Sequence, residues 1–566
     1  MSVDNKRLKV VLCWHMHQPE YRNALTGEYI LPWTYLHGIK DYVDMAAHIE
    51  EVPGARAVFN FAPTLLEQLD DYAKQVTQFL KDKTPIKDAF LQALASEKMP
   101  SDVDMRMTLI KNSLRANKER LINRFPAFHQ LSNYAQLIFR DKAAINYVND
   151  HFIEDIITWY HLAWLGETIR RDDKRVQQLM KKENLFTYQD RLLLMEVIND
   201  SLSGLIGRYK KLREAGKIEI SVTPFAHPII PILLDVNTTK EAMPDALMPE
   251  MEKYPGGEER VQWHVEEGYK VFEKHFGYKT KGCWPSEGSI STETLKILEK
   301  SGFSWAASGQ AVLSHTAQSL IQKDYAIDCN VHQAFCLEGG KIHQYFRDDG
   351  LSDLIGFTYS KWHADDAVND FINHLENINC ATIHKKDRIV SVILDGENAW
   401  EYYPDNAYHF LSALYQRLAN HPEIQLTTFE DASKSFENVT ELPYVVAGSW
   451  VYGTFSTWIG EQAKNKGWEL LAQAKLAYDD FKQNQKIDSD KLDEIDKQLA
   501  ICEGSDWFWW FGDYNPADSV KDFESLYRTH LTHLYQLMDI IPPDELSVSF
   551  TQGGGDMDNG GVMRKN

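Results

Sequence analysis

Two carboxyl-bearing segments each follow an apolar run of the chain, and they are the residues best suited to catalysis. Glu287 lies within the sequence WPSEGS, and Asp395 opens the sequence DGENAWE. Cleavage of a glycosidic bond needs two carboxyl groups, one to protonate the leaving oxygen and one to attack the anomeric carbon or activate water. The distance between the two carboxyl groups decides the stereochemical outcome, and spacing along the chain does not determine it.

Each segment also has a structural interpretation. A single glutamate at a strand end can cap a helix or carry surface charge, although the Pro and Gly residues around Glu287 favour a functional turn. Asp395, Glu397 and Glu401 stand within seven residues. Such crowding is tolerable if repulsion from Glu397 keeps the Asp395 proton in place, as a general acid requires. Calcium binding is the competing explanation, but the spacing does not match a twelve-residue EF-hand loop.

Histidines form a third group of candidates. His15 and His17 occupy alternate positions in the sequence HMHQP after the first apolar run, and His227 follows another run. Two histidines in this pattern could bind zinc, as in deacetylases and mannosidases. Those sites also use a nearby aspartate, whereas Gln18 and Pro19 stand here. The alternatives are hydrogen bonds to sugar hydroxyls or a purely structural role.

Aromatic residues cluster near the C-terminal part of the chain. Trp450 and Trp458 lie among small polar residues, and the sequence SDWFWWF contains Asp506 and Trp509. Sugar rings pack on aromatic faces, so these segments suit a carbohydrate cleft. Aromatic residues three positions apart on a helix more often belong to a core, and we expect most of this last run to be buried.

Short apolar runs recur along the first 430 positions, and helical patterns separate many of them. This alternation predicts βα units that close into a barrel of seven or eight parallel strands. Carboxyl groups at strand ends would then meet at one end of the barrel, where enzymes of this architecture keep their active sites. The predicted strands are Leu8–Trp14, Ala57–Phe61, Ile218–Thr223, Gly282–Trp284, Phe303–Ala307, Ile342–Phe346, Ile389–Leu394 and Ile424–Thr427.

Two parts of the chain are predominantly helical in pattern. Residues 64–215 form a helical excursion that is best explained as an insertion, and residues 460–545 predict a C-terminal helical domain. The barrel then comprises residues 1–63 and 216–459. The segment 546–566 is rich in glycine and polar residues, and we expect a disordered tail there.

Composition narrows the choice of partners. The net charge of -22 disfavours nucleic acid and anionic membranes, whereas a neutral polymer is unaffected by it. Six scattered cysteines indicate neither a disulfide framework nor a zinc ribbon. We expect a cytoplasmic protein, because the N-terminus lacks a signal-peptide pattern and no run is apolar enough to span a membrane. The oligomeric state stays open.

Taken together, these motifs resemble glycoside hydrolase family 57. HMHQP resembles its first motif, Glu219 through Pro228 the second, WPSEGS the third, DGENAWE the fourth, and the aromatic C-terminal segments the fifth. The resemblance implies a (β/α)7 barrel with a helical insertion and a C-terminal helical domain. It further implies a retaining mechanism without a cofactor or metal, with Glu287 as nucleophile and Asp395 as general acid/base. The substrate-binding residues it implies are His15, His17, His227, Trp284, Glu397, Asp506 and Trp509.

The leading hypothesis is hydrolysis of α-1,4 bonds, with α-1,6 bonds as a further candidate, in glycogen, starch or maltodextrin-like glucans and maltooligosaccharides. Asp395 through Glu401 and the SDWFWWF run are most similar to the α-amylase and amylopullulanase branch of the family. The same carboxyl pair would also serve a 4-α-glucanotransferase or a branching enzyme. Other classes left open are a metal-dependent deacetylase or α-mannosidase and a non-catalytic glucan-binding protein.

Overall fold

A closed barrel of parallel strands organises the molecule. The computed structural model describes residues 7–325 and 327–555. Within them the strands are β1 (Leu8–Met16), β2 (Ala57–Phe61), β3 (Ile218–Val222), β4 (Gly282–Cys283), β5 (Trp305–Gly309), β6 (Phe335–Leu337), β7 (His343–Arg347), β8 (Ile389–Asp395), β9 (Ile424–Leu426) and β10 (Thr440–Leu442).

The barrel ring runs β1-β2-β3-β4-β5-β7-β8, and β8 returns to β1. Every neighbouring pair around the ring is parallel, including the short contact of Arg347 with Ser391 that joins β7 to β8. The predicted barrel is therefore confirmed, with seven strands in the closed ring. Because all seven are parallel, their carboxyl ends open on one face of the barrel.

The predicted strand at residues 424–427 exists as β9, but it lies outside the ring and pairs with the beginning of β1. β6 and β10 were not predicted: β10 pairs parallel with β6, and β6 pairs antiparallel with β7. Each of these two strands has only three residues, too short for a periodic pattern in the sequence to reveal.

Helices surround the ring in the order in which they follow its strands. After β1 come α1 (Trp33–His37) and α2 (Val43–Glu51). The helices that follow β3 and the later strands are α11 (Ile230–Leu234), α12 (Thr239–Ala242), α13 (Gly257–Phe276), α14 (Thr292–Lys300), α15 (Gln310–Gln322), α16 (Asp349–Asp353), α17 (Ala364–Thr382), α18 (Tyr408–Ala419) and α19 (Phe429–Ser435). The numbers α3 to α10 belong to the excursion between β2 and β3.

The long excursion between β2 and β3 is helical throughout most of its length. Its longest helix begins at a capping box, in which Thr187 and Asp190 each accept a hydrogen bond from the other's backbone amide. That residues 64–215 form a separate insertion domain stays a prediction. Its helices are α3 (Pro63–Asp82), α4 (Ala89–Ala95), α5 (Val103–Asn112), α6 (Pro126–Arg140), α7 (Asp150–Trp164), α8 (Glu167–Asp172), α9 (Lys174–Lys182) and α10 (Tyr188–Glu214).

The C-terminal part is also helical. Of the segment expected to be a disordered tail, residues 546–555 are described, and they pack on the protein: Phe550 contacts Phe511 at 5.0 Å between ring centroids, and Thr551 is buried. Residues 556–566 lie outside the described part. The helices are α20 (Gln462–Asn484), α21 (Ser489–Cys502), α22 (Asp506–Trp510) and α23 (Ala517–Leu537).

The core is rich in tryptophan, which explains part of the aromatic content noted in the sequence. Trp14, Trp305 and Trp400 are completely buried among the barrel strands and their loops, where large aromatic side chains contribute most to apolar burial. Among the described helices, none is both long and apolar enough to cross a bilayer.

Candidate active site

The predicted catalytic residues gather at the carboxyl ends of the barrel strands. His15 lies at the end of β1 and Asp395 is the last residue of β8, and the two stand opposite each other in the strand register. Asn60 lies near the end of β2, opposite His15 on the other side. The parallel arrangement predicted from the sequence thus brings these segments to one face.

Glu287 sits in a strained turn directly after β4. Its backbone adopts φ 56° and ψ 26°, the left-handed conformation that residues with a side chain rarely adopt, and Gly288 follows with φ 57°. Such a conformation costs about 1–3 kcal/mol and persists only where the surroundings enforce it. Here the backbone amide of Trp450 donates to the Glu287 carbonyl oxygen at 3.0 Å.

Trp450 also holds the Glu287 carboxyl group itself. Its indole Nε1 donates to Glu287 Oε2 at 2.9 Å, and its ring packs edge-on against Trp284 with centroids 5.2 Å apart. Gly288 is required at this point, because a Cβ there would lie 2.8 Å from the Trp284 ring. A carboxyl group fixed on both its backbone and its side chain is oriented for reaction before a ligand binds.

Asp395 occupies a different electrostatic environment. Burial raises its pKa from 3.8 to about 6, and the opposing influences are the Asn398 amide, His17 and Arg347. Asn398 Nδ2 donates to Asp395 Oδ2 at 3.0 Å. A carboxyl group that titrates near pH 6 is protonated often enough to act as an acid under mildly acidic to neutral conditions.

Glu397 is almost completely buried, at 2% exposure, and burial together with the charges of Asp395 and Asp41 raises its pKa well above the ordinary value. The two neighbouring carboxyl groups therefore disfavour simultaneous ionisation. The expectation that repulsion from Glu397 retains the Asp395 proton stays a prediction, and burial is the main cause that raises the pKa of Asp395.

His15 and His227 form a hydrogen-bonded chain with Asn60 and Ser505. His15 Nδ1 donates to Asn60 Oδ1 at 2.7 Å, so the neutral ring offers Nε2 as an acceptor, 3.1 Å from His227 Nε2. His227 must then donate through Nε2 and accept through Nδ1 from the Ser505 hydroxyl at 2.8 Å. Burial lowers the pKa of His15 to about 3 and that of His227 well below its ordinary value, so both rings are neutral.

The histidines lie between the two candidate carboxyl groups: His227 is near Glu287, and His15 stands opposite Asp395 in the strand register. His227 Nδ1 lies 3.7 Å from Glu287 Oε1. The His17 ring stacks on His227 with centroids 3.9 Å apart, and His17 Nε2 contacts Asp506 Oδ1 at 2.6 Å. His17 Nδ1 has no partner among the described residues, so this nitrogen can hydrogen-bond a ligand.

The segment with Ser505 and Asp506 is anchored to the barrel by a buried ion pair. Arg260 of α13 donates to Glu503 through Nε and Nη2, both at 2.9 Å from a carboxylate oxygen, and the pKa of Glu503 falls to about 2. Ser505 in turn donates its amide to the His227 carbonyl oxygen at 2.9 Å. The C-terminal helices therefore complete the site from outside the barrel.

The histidine cluster also permits a test of the zinc interpretation. One nitrogen from each of His15, His17 and His227 can be chosen so that all lie within 4.8 Å of one another. A tetrahedral zinc ion needs nitrogens about 3.3 Å apart whose lone pairs converge on one point. Here His15 Nε2 and His227 Nε2 face each other at 3.1 Å, and the other nitrogens of these two rings contact Asn60 and Ser505. These hydrogen bonds account for all four ring nitrogens of His15 and His227, which favours the hydrogen-bonded interpretation over zinc.

The structure places the remaining predicted residues with less direct access to a ligand. Trp284 is completely buried and Trp509 is 8% exposed, so both support neighbouring rings; the Trp509 ring lies 6.0 Å from that of Trp458. Glu219, in the second motif, lies near the beginning of β3 and binds Trp305 Nε1 at 2.6 Å. It is therefore at the end of the barrel opposite the catalytic residues.

Sequence reasoning missed several residues of the site. Asn60 is the single polar residue of the buried strand AVFNF, a signal that could have been used. Arg347 ends β7 as Asp395 ends β8, and its guanidinium group binds Asp349 and Asp353, each at 2.8 Å. Ser505 carried no signal, because it meets His227 only through folding across 278 positions.

Several buried polar atoms at the site lack a hydrogen-bond partner among the described residues. They are Glu397 Oε2, His17 Nδ1 and Trp284 Nε1. An unpaired buried polar group is costly, and in native proteins it often marks a place for water or a ligand. A hydroxyl-rich ligand supplies both donors and acceptors.

Two carboxyl groups in contrasting environments at the open end of a parallel barrel meet two requirements of a glycosidase site. Comparison with known proteins agrees. The family model described as glycosyl hydrolase family 57 matches residues 11–445, which is most of the chain. The protein belongs to glycosyl hydrolase family 57 and is a glycoside hydrolase by family. No curated protein shows significant sequence similarity to it.

Solved structures share the fold. A branching enzyme from Pyrococcus horikoshii superposes with a TM-score of 0.58 at 15% identity, over 97% of this chain and 98% of its own. A branching enzyme from Thermococcus kodakaraensis gives 0.56 at 14% identity, over 94% and 90%. An α-amylase from Thermotoga maritima gives 0.56 at 14% identity, over 94% and 93%. At these identities the likeness establishes the common fold.

Proposed function

We propose that the protein is a retaining enzyme that cleaves α-1,4-glucosidic bonds in glycogen- or maltodextrin-like glucans. Glu287 is the nucleophile and Asp395 the general acid/base. The contrast between the two carboxyl groups carries the proposal: Asp395 has a pKa of about 6, whereas Glu287 receives a hydrogen bond from Trp450 at 2.9 Å. Carboxyl groups with separate environments take separate roles in glycosidases.

The first half of the reaction uses both groups at once. Glu287 attacks the anomeric carbon while Asp395 gives its proton to the departing glycosidic oxygen, which leaves a glycosyl ester on Glu287. In the second half, ionised Asp395 removes a proton from the incoming hydroxyl, which attacks the ester and frees Glu287. Asp395 is then protonated again for the next turnover.

The surrounding residues bind the sugar. His17 leaves Nδ1 without a partner among the described residues, and Asp506 is 14% exposed beside it, so these two groups can hydrogen-bond hydroxyls directly. His15 and His227 can exchange their mutual hydrogen bond for one to a hydroxyl. Glu397 Oε2, also without a partner among the described residues, is suited to another such bond. Trp284 and Trp509 act through the groups they support, because their own rings are buried.

Water is the acceptor in the leading proposal, with α-1,6 cleavage as a second linkage to test. The specific observation for a transferase is that two of the similar structures are branching enzymes. Incubation with maltoheptaose separates the two functions. Hydrolysis raises the number of reducing ends, disproportionation gives longer and shorter chains at a constant number, and branching creates α-1,6 bonds.

The catalytic assignment is tested by Glu287→Gln and Asp395→Asn. We expect Glu287→Gln to lose turnover by at least about a thousandfold while binding maltooligosaccharides with little change. Full activity in either variant would contradict the assignment. The expected cytoplasmic location, the exclusion of nucleic acid as a partner and the choice of maltooligosaccharide stay predictions.

A further inference from the structure

A second hollow opens at the same end of the barrel as the catalytic residues. It is a cavity of about 370 Å³ bounded by the segments that follow β7 and β8, and we call it the aromatic pocket. Its aromatic lining consists of Tyr359, Trp362, Tyr403 and Phe410. The volume lies within the range of about 300–1,000 Å³ that is usual for small-ligand sites.

The pocket holds one exposed indole on a base of buried rings. Trp362 is 43% exposed, whereas Tyr359, Tyr403 and Phe410 are each no more than 3% exposed. The Trp362 ring lies 5.5 Å from Tyr359, which packs on Phe410 at 5.9 Å. Phe410 in turn contacts Tyr403 at 5.3 Å. The indole is thereby supported from below and offers a face to a ligand.

Polar groups border this aromatic surface. The side chains of His363 and Asp365, which line the pocket, are 73% and 63% exposed, and that of His409 is 57% exposed. An open aromatic face next to exposed hydrogen-bonding groups matches a neutral, hydroxyl-rich ligand. A purely apolar ligand would leave the polar border unused.

One wall of the pocket includes Pro404 and Ala407, which belong to a strained loop. Asp405, Asn406 and Ala407 follow Pro404 with φ of 53°, 52° and 60°, three consecutive left-handed residues without a glycine. The strain is maintained by two contacts: Arg124 binds Asp405 at 2.9 Å, and Asn406 Nδ2 donates to Asp44 Oδ2 at 2.8 Å. The shape of the wall is therefore fixed by its surroundings.

The pocket is joined to the catalytic segment. Tyr403 packs on Trp400 at 5.7 Å, and Trp400 Nε1 donates to the carbonyl oxygen of Gly396, the neighbour of Asp395. Asp395 and part of the pocket lining thus belong to the same stretch of chain at and after the end of β8. The net charge of -22 also favours a neutral occupant over an anionic one.

We propose that the aromatic pocket is a second carbohydrate-binding site, occupied by a segment of α-1,4-glucan that lies outside the catalytic cleft. Trp362 supplies the stacking surface, and His363, Asp365 and His409 supply hydrogen bonds. The inference rests on the proposed α-glucan function. It adds that polymers such as glycogen are held at two places, whereas short oligosaccharides are held at one.

Affinity electrophoresis in gels containing glycogen tests this inference in the Glu287→Gln background, which prevents turnover. We expect the further substitution Trp362→Ala to weaken glycogen binding about tenfold, the effect of losing about 1.4 kcal/mol of ring stacking. Trp362→Phe should restore part of the affinity. The matched control is Tyr147→Ala, which removes a 91% exposed aromatic residue from the helical excursion and should bind as the parent does.

Equal retardation of the Trp362→Ala variant and its parent would overturn the inference, as would a parent that glycogen does not retard. An unchanged melting temperature shows that the Trp362→Ala variant is folded. Failure of the proposed function is recognised separately, because the wild-type enzyme would then release no product from maltoheptaose. Binding of apolar peptides in place of glycogen would assign the pocket to a different partner and contradict the proposal.

Discussion

Asn398 provides the sharpest test of the electrostatics at Asp395. Its amide donates to Asp395 Oδ2 at 3.0 Å and so favours the ionised form, while burial raises the pKa to about 6. Substitution Asn398→Ala removes that donor. A hydrogen bond to a charged group contributes about 1.5–3 kcal/mol, and water entering the cleft replaces part of it, so we expect the pKa to rise by about one unit.

The consequence appears in the pH dependence of kcat/KM. Protonated Asp395 is the active form in the first half-reaction, so activity falls as pH rises through its pKa. We expect the alkaline limb to move from about pH 6 to about pH 7 in the variant. At pH 7 the protonated fraction would increase from about one tenth to about one half, which raises kcat/KM severalfold if the geometry is preserved.

The assay is reducing-end release from maltoheptaose across the pH range. Two controls accompany it. The first is Asn133→Ala, whose amide contacts His129 and which should leave the profile unchanged; the second is a change of substrate. With α-maltosyl fluoride the leaving group needs no proton, so the alkaline limb should disappear in both enzymes. An alkaline limb that stays in place, or moves to lower pH, in the Asn398→Ala variant would refute the reasoning.

Three further outcomes are expected. Trp450→Phe removes the 2.9 Å hydrogen bond to Glu287 but keeps a ring, so kcat/KM should fall about ten- to a hundredfold with little change in melting temperature; a change below twofold would contradict the role given to the indole. Burial raises the pKa of Glu219 from 4.5 to about 7, so its native state binds the proton more tightly, and stability is lost as pH rises from about 4.5 to 7, by about 3 kcal/mol in total. Urea denaturation at pH 5 and pH 8 should show this loss of unfolding free energy in the wild type and not in Glu219→Gln. An equal loss in the two proteins would refute the reasoning. Treatment with EDTA should leave turnover unchanged, because hydrogen bonds already occupy the ring nitrogens of His15 and His227; loss of activity that zinc restores would overturn that interpretation.

The parts of the fold that followed from the sequence are those with strong local patterns. β1, β2 and β8 are apolar runs whose burial on every side leaves no polar face. The sequence did not show that the run at residues 424–427 would lie outside the ring, since ring membership depends on pairing between distant strands. β4, with two residues, was recognisable only because WPSEGS follows it.

The residues of the candidate site also fall into two groups, those with a local signal in the sequence and those without one. Glu287 and Asp395 could be singled out as candidates because a carboxyl group at or just after the end of a buried strand is a local feature. The partners that set their environments are distant in sequence: Trp450 meets Glu287 across 163 positions. The pKa of Asp395 likewise depends on its depth of burial, which the crowding of carboxyl groups in DGENAWE does not reveal.

The central claim, that Glu287 forms a covalent glycosyl intermediate, is most directly tested by trapping it. In the Asp395→Asn variant, α-maltosyl fluoride can form the ester without an acid, but no base remains to release it, so the intermediate should accumulate. Mass spectrometry of the digested protein should find one maltosyl group on the peptide that contains Glu287. A maltosyl group on any other residue, or inversion of configuration at the anomeric carbon in the wild-type reaction, would contradict the account.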